Sequence, residues 1–225
     1  MSVSLSSATR AALIASVITA ALLLPGSAHA GEDPAAADPS AAPDGVTVAV
    51  ATSNGSGCPG NTAEVTVLPR TAGFTVTYHE EYLARSGIGA DPTDFRKNCQ
   101  VNLAVDYPDG FTFAIVTASH SGFANLERGA SGLQRWSHYF QGSSTTRIAD
   151  HRFAGPFRDN WQTFDRFGAA ELVWAPCDAR RNLNVNTELR VTAGTSDPNT
   201  ASLMAPDWTD DVADATYRFR WRRCG

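Results

Sequence analysis

The chain has 225 residues, with 18 basic against 23 acidic side chains, five histidines and a formal net charge of −5. That length carries one domain, or at most two, and is ample for a sizeable core. The acidic balance argues against a general affinity for nucleic acid or anionic membrane, so no nucleic-acid partner is expected, although a local basic patch stays open.

The N-terminus reads as an export signal. Arg10 is the only charge before residue 32, and the apolar run 11–24 behind it is too short for a stable membrane anchor. A Pro25-Gly26 break follows, then Ala28-His29-Ala30, a small-x-small cleavage site. Residues 1–30 are therefore expected to be removed, leaving a soluble, secreted, extracellular chain with no transmembrane segment. Losing Arg10 leaves 17 basic and 23 acidic residues, a net charge of −6. Residues 31–44 are Ala, Pro, Asp and Glu with one Ser and no large apolar side chain, which predicts a flexible leader. Residues 45–225 are expected to form a single β-sandwich domain.

From Gly45 onward the hydrophobic period is two. Val46, Val48 and Val50 alternate with small or polar residues; so do Phe74, Val76 and Tyr78, and then Val101, Leu103, Val105 and Tyr107. The pattern returns at Leu183, Val185, Thr187, Leu189 and Val191, and at Tyr217, Phe219 and Trp221. Such alternation marks strands with one face buried and one wetted. Segments 65–68, 111–118, 136–141 and 171–174 are further strand candidates. Residues 69–73 and 107–110 have the Pro, Gly and Asp chemistry of hairpin connections. The weak helix candidates are 91–95 and 205–212. About nine or ten short strands with this punctuation predict an all-β antiparallel sandwich.

Four cysteines, Cys58, Cys99, Cys177 and Cys224, remain after processing. An even number in an exported chain predicts two disulfides, with three pairings open. The spacings lack the tight pairs of a zinc site, and neither metal nor cofactor is expected. If strands 64–68, 74–81 and 100–107 run up, down and up, Cys58 and Cys99 share one end. If 183–191 pairs antiparallel with 216–223, Cys177 approaches Cys224. The chosen pairing is Cys58–Cys99 with Cys177–Cys224.

Several segments resemble a known family when taken in order. They are Gly55-Ser56-Gly57-Cys58-Pro59, Arg96-Lys97-Asn98-Cys99-Gln100-Val101-Asn102, Tyr139-Phe140-Gln141-Gly142, Gly155-Pro156 and Trp174-Ala175-Pro176-Cys177. Leu183-Asn184-Val185-Asn186-Thr187 and the closing Trp221-Arg222-Arg223-Cys224 complete the set. This resembles the exported family catalogued as domain of unknown function 4360, over roughly residues 45–225. The chain departs from the expected pattern at Asp178, where Gly is expected, and at His120, where Arg is expected. The resemblance implies export and paired cysteines, and no particular activity.

Candidate sites are few. In Tyr78-His79-Glu80-Glu81, a strand would put His79 and Glu81 on one face, where a proton or a metal could be handled. The expectation is instead a wetted strand face, because no H-E-x-x-H spacing accompanies it. His120, His138 and His151 lie in separate segments. Ser119-His120-Ser121-Gly122 has the residue types of a serine hydrolase without G-x-S-x-G. Distant carboxylates for glycoside cleavage would come from Glu80, Glu81, Asp106, Glu171 and Glu188. Asp207, Asp210, Asp211 and Asp214 surround Trp208 without calcium-loop spacing, as expected of a solvated loop. Trp161 and Trp208 have polar neighbours and are the candidate exposed binding aromatics, whereas Trp174 and Trp221 are expected in the core. Arg218, Arg220, Arg222 and Arg223 are expected to pair with the acids of 207–214. The reading favours a non-catalytic exported module with an extracellular polysaccharide or protein partner. The alternatives are a hydrolase using distant carboxylates and an inhibitor of another exported protein.

Overall fold

The alternating segments form strands. A computed structural model describes residues 42–206 and 214–225 and arranges them in two antiparallel sheets. The five-stranded sheet runs β1 (Thr47–Asn54), β5 (Arg96–Asp106), β10 (Leu183–Thr192), β7 (Ser131–Phe140) and β8 (Arg147–Ala154). The seven-stranded sheet runs β2 (Glu64–Val67), β3 (Gly73–Thr77), β12 (Ala215–Arg223), β6 (Phe111–Leu126), β11 (Ala201–Pro206) and β4 (Ala84–Gly87). Its seventh strand, β9 (Phe157–Arg166), pairs with β6.

The inner faces meet through large rings, as expected of an aligned sandwich. Trp136 on β7 meets Tyr217 on β12 edge-on at 5.4 Å between centroids. Phe140 on β7 meets Phe113 on β6 in the same manner, also at 5.4 Å. Trp221, Phe74 and Leu183 complete this layer and are almost fully buried.

The described residues contain twelve strands, more than the nine or ten expected. The hydrophobic pattern hides β8 and β9 because each face mixes polar and apolar residues, although Phe153 and Trp161 do pack inward. His151 and Asp165 face inward, while Ile148 and Phe164 are exposed. β4 and β11 are short and carry too little alternation to show. Segment 171–174 is not a strand. A 3₁₀ turn covers Ala169–Glu171, and the extended residues after it contribute one backbone bond, from Ala175 N to Phe113 O at 2.9 Å, before Pro176 withholds its donor. Residues 91–95 make a turn rather than a helix, because the Asp94 carboxylate accepts from the Asp91 N–H (3.0 Å) and from Arg85 Nε (2.8 Å). Of the other helix candidate, residues 205 and 206 belong to β11 and 207–212 lie outside the described residues.

Residues 69–73 do close the β2–β3 hairpin. Arg70 and Thr71 take positive φ there, and a Cβ on Gly73 would sit 1.9 Å from the Tyr217 carbonyl. Residues 107–110, by contrast, carry the chain from one sheet to the other.

Both disulfides pair as expected, Cys58–Cys99 and Cys177–Cys224, with Cα separations of 5.4 and 5.9 Å. The geometry that brings them together is different. β10 and β12 lie in opposite sheets and never pair. Cys58 reaches Cys99 because β1 runs antiparallel to β5 as far as Asn54 opposite Gln100. Cys177 and Cys224 meet at the start of β6, where Ala175 bonds Phe113 and the Cys224 N–H bonds Gly110 O.

Candidate binding face

A strand's alternate residues point to opposite faces, so the apolar residues of β5 and β10 dictate where their polar neighbours go. Val101 and Leu103, with Val185, Thr187 and Leu189, fill the interior. Asn98, Gln100 and Asn102 therefore stand on the outer face beside Asn184, Asn186 and Glu188. β7 adds Arg135, Ser137 and Tyr139 to the same face. The segments that carry the family resemblance, 96–102, 139–142 and 183–187, thus converge on one surface.

The amides on this face are linked. Asn182 Nδ2 donates to Asn102 Oδ1 at 2.7 Å, and Asn102 Nδ2 donates to Asn184 Oδ1 at 2.8 Å. Gln100 Nε2 donates to the same Asn184 oxygen at 3.1 Å. Asn186 and Tyr139, half-buried beside them, make no side-chain hydrogen bond among the described residues. At the far end of the face Glu188, 7% exposed, is held by two guanidiniums. Arg96 Nε donates to it at 2.8 Å and Arg190 Nη2 at 2.6 Å. Arg135 makes a two-pronged contact to Asp150, both bonds at 2.6 Å, and this bonding holds the Asp150 carboxyl below the usual carboxylate range. Both carboxylates of this face are thus occupied by guanidiniums.

The histidines are gathered, though inside the sandwich. His120 Nε2 bonds the Tyr217 hydroxyl at 2.9 Å, and its ring lies 5.7 Å from that of Trp136. His138 stacks on Trp136 with the ring centroids 5.3 Å apart. Trp136 Nε1 donates to Asp165 Oδ2 (2.8 Å), which also bonds His151 Nε2 (3.0 Å). Burial drives the pKa of His120 down to about 3 and that of His138 down to about 4, so both rings are neutral at physiological pH. Among the described residues, no three His, Cys, Asp or Glu side chains gather as a metal would require.

Several expected site residues lie elsewhere. β3 ends at Thr77, and His79, Glu80 and Glu81 occupy the turn after it rather than a strand face. His79 sits 3.7 Å from Glu64 at an exposed edge. Trp161 is only 6% exposed, not a free loop ring. It lies on β9 opposite Gly122, where any Cβ would fall 2.4 Å from the indole, so the missing side chain makes room for the ring. Trp161, His120, Gln134 and Tyr82 line a cavity of about 10 Å³ between the sheets, the size of one water site. Trp208 lies outside the described residues, as do Asp207, Asp210 and Asp211. Asp214 is buried rather than part of a solvated loop, and its carboxylate accepts the Tyr78 N–H at 2.6 Å. Of the acids expected to pair with the arginines, Asp207, Asp210 and Asp211 lie outside the described residues. Arg222 lies over the Trp174 ring at 3.8 Å and Arg223 over Phe111 at 4.7 Å, while Arg218 and Arg220 are exposed and carry no ion pair among the described residues. The outer amide face was the feature that reading strands singly missed. Its signal was the polar half of each alternation.

Fold and face together define an all-β sandwich stapled by two disulfides. No helix among the described residues is long and apolar enough to cross a membrane. The chain belongs to the family described as domain of unknown function (DUF4360), which matches residues 44–224. It is similar to an uncharacterized secreted protein of Arthroderma benhamiae, at 32% identity over 182 residues, covering 81% of this chain and 73% of that protein. The family resemblance read from the ordered motifs is thereby borne out.

Proposed function

We propose that this secreted protein is a non-catalytic binding module for extracellular polysaccharide, engaged through the outer face of the five-stranded sheet. On this reading residues 1–30 are the cleaved signal, 31–44 a flexible leader and 45–225 one binding domain. The observation that carries it is the linked amide row Asn182, Asn102, Asn184 and Gln100 beside the uncommitted Asn186 and Tyr139. A primary amide offers two donors and an acceptor, matching hydroxyls that both give and receive. Amides already tied to one another lose little freedom when a ligand arrives. Tyr139 supplies a ring edge and a hydroxyl alongside. Both carboxylates at the end of the face are already engaged by arginines, which favours binding over hydrolysis.

Co-sedimentation with insoluble cellulose, chitin and β-1,3-glucan tests this reading. The processed protein should be retained by at least one of them. Tyr139→Ala combined with Asn186→Ala should weaken retention by about tenfold or more, with an unchanged melting temperature. Retention identical in the variant and the parent would overturn the assignment to this face.

A further inference from the structure

The opposite sheet carries a second feature that the amide face does not use. Antiparallel pairing of β12 with β6 slips between Arg218 and Phe219, leaving Val116 as an extra residue on β6. Such a bulge bends its strand and opens the surface beside it. Here it borders a depression of about 620 Å³ whose lining includes Val116, Phe167 and Phe219, with Arg166 and Arg220 also on its walls. That volume is within the range of small-ligand sites. Arg218 stands one register step away, opposite Thr117, whose other neighbour is Arg166.

These three guanidiniums are exposed and carry no ion pair among the described residues. One neighbouring carboxylate faces the interior, and another bonds Gly168 on the pocket wall. Asp165 points inward to Trp136 and His151. Glu171 accepts the Gly168 N–H at 3.0 Å and lies 3.6 Å from Arg147. Among the described residues, three arginines without an ion pair thus cluster at one pocket of a chain whose net charge is −5. Two forked donors on the walls suit a planar carboxylate, and apolar lining suits the C–H face of a sugar ring.

We infer that the pocket at the Val116 bulge binds a uronic acid unit of an acidic extracellular polysaccharide, its carboxylate between Arg166 and Arg220. The site is independent of the amide face.

Calorimetric titration of the processed protein with oligogalacturonate, and with a neutral galactan oligomer of equal length, tests the inference. The acidic oligomer should bind and the neutral one should bind at least about tenfold more weakly, with acidic binding weakened by salt. Arg166→Gln with Arg220→Gln should abolish that preference. Arg166→Lys with Arg220→Lys, which keeps charge but not the fork, should retain part of it. Unchanged melting temperatures would show that both variants fold. Equal binding of the two oligomers, or a Gln variant that still prefers the acidic one, overturns the proposal. So does tighter binding to single-stranded DNA or to anionic vesicles than to oligogalacturonate. Tyr139→Ala with Asn186→Ala should leave the oligogalacturonate affinity unchanged, so failure of one face is distinguishable from failure of the other.

Discussion

Lowering the pH from 7.5 to 5 should weaken this fold by about 4 kcal/mol through two buried histidines alone. His120 and His138 are 4% and 1% exposed, and burial holds their pKa values near 3 and 4, against 6.5 in the unfolded chain. For His120 the neighbouring Asp165 pulls the other way and His151 adds to the depression; for His138 the Arg147 charge adds to it. Below pH 6.5 the unfolded chain takes up protons that the folded chain refuses, so stability falls with pH until the folded-state values are reached. At pH 5 the solution is about 1.5 units below the unfolded pKa of 6.5, so each histidine still held neutral costs about 2 kcal/mol at about 1.36 kcal/mol per unit. Two such groups are a large fraction of a typical stability of about 5–15 kcal/mol. Urea unfolding at pH 7.5, 6.5, 6 and 5 measures the loss directly. His138→Phe should roughly halve the pH dependence, since His138 makes no hydrogen bond that the substitution would break. A wild-type stability that is flat across this window, or a variant with the same slope as wild type, would refute the reasoning.

Other outcomes follow from the packing. Trp161→Ala should cost about 3–5 kcal/mol in urea unfolding, as should Trp221→Ala, because both rings are buried. Replacing Cys58 and Cys99 by Ala releases a loop of 41 residues and should cost about 4 kcal/mol in the same assay. Gly73→Val should abolish secretion of folded protein, read by protease resistance, since its side chain would strike the Tyr217 carbonyl. Mass spectrometry of protein recovered from culture medium should find Gly31 as the first residue.

Strands whose apolar residues face inward were legible along the chain, and β5, β10 and β12 follow the alternation of their valines, leucines and rings. β8 and β9 were not, because the interior there is lined by His151, Thr163 and Asp165, which find hydrogen-bonding partners across the sheets. Polar residues that satisfy one another inside a sandwich look like surface when read singly. Trp161 misled for a related reason: its sequence neighbours Asn160 and Gln162 are exposed, but neighbours on a strand face the other way. The disulfide pairing came out right although the supposed β10–β12 contact does not exist. The amide face needed strands distant in sequence to be set side by side, and no single segment contains that information.

The placement of β12 bears on how the protein comes into being. The last strand of the chain is an interior strand of its sheet, with β3 on one edge and β6 on the other. β3 has no other partner on that side, so the hairpin it forms with β2 cannot join the rest of its sheet until the final residues arrive. Pairing partners so far apart in sequence also close slowly. The polypeptide consequently cannot complete this sheet until residues 215–223 are available to pair. A chain built this way stays pliable along most of its length and locks only when that strand slots into place.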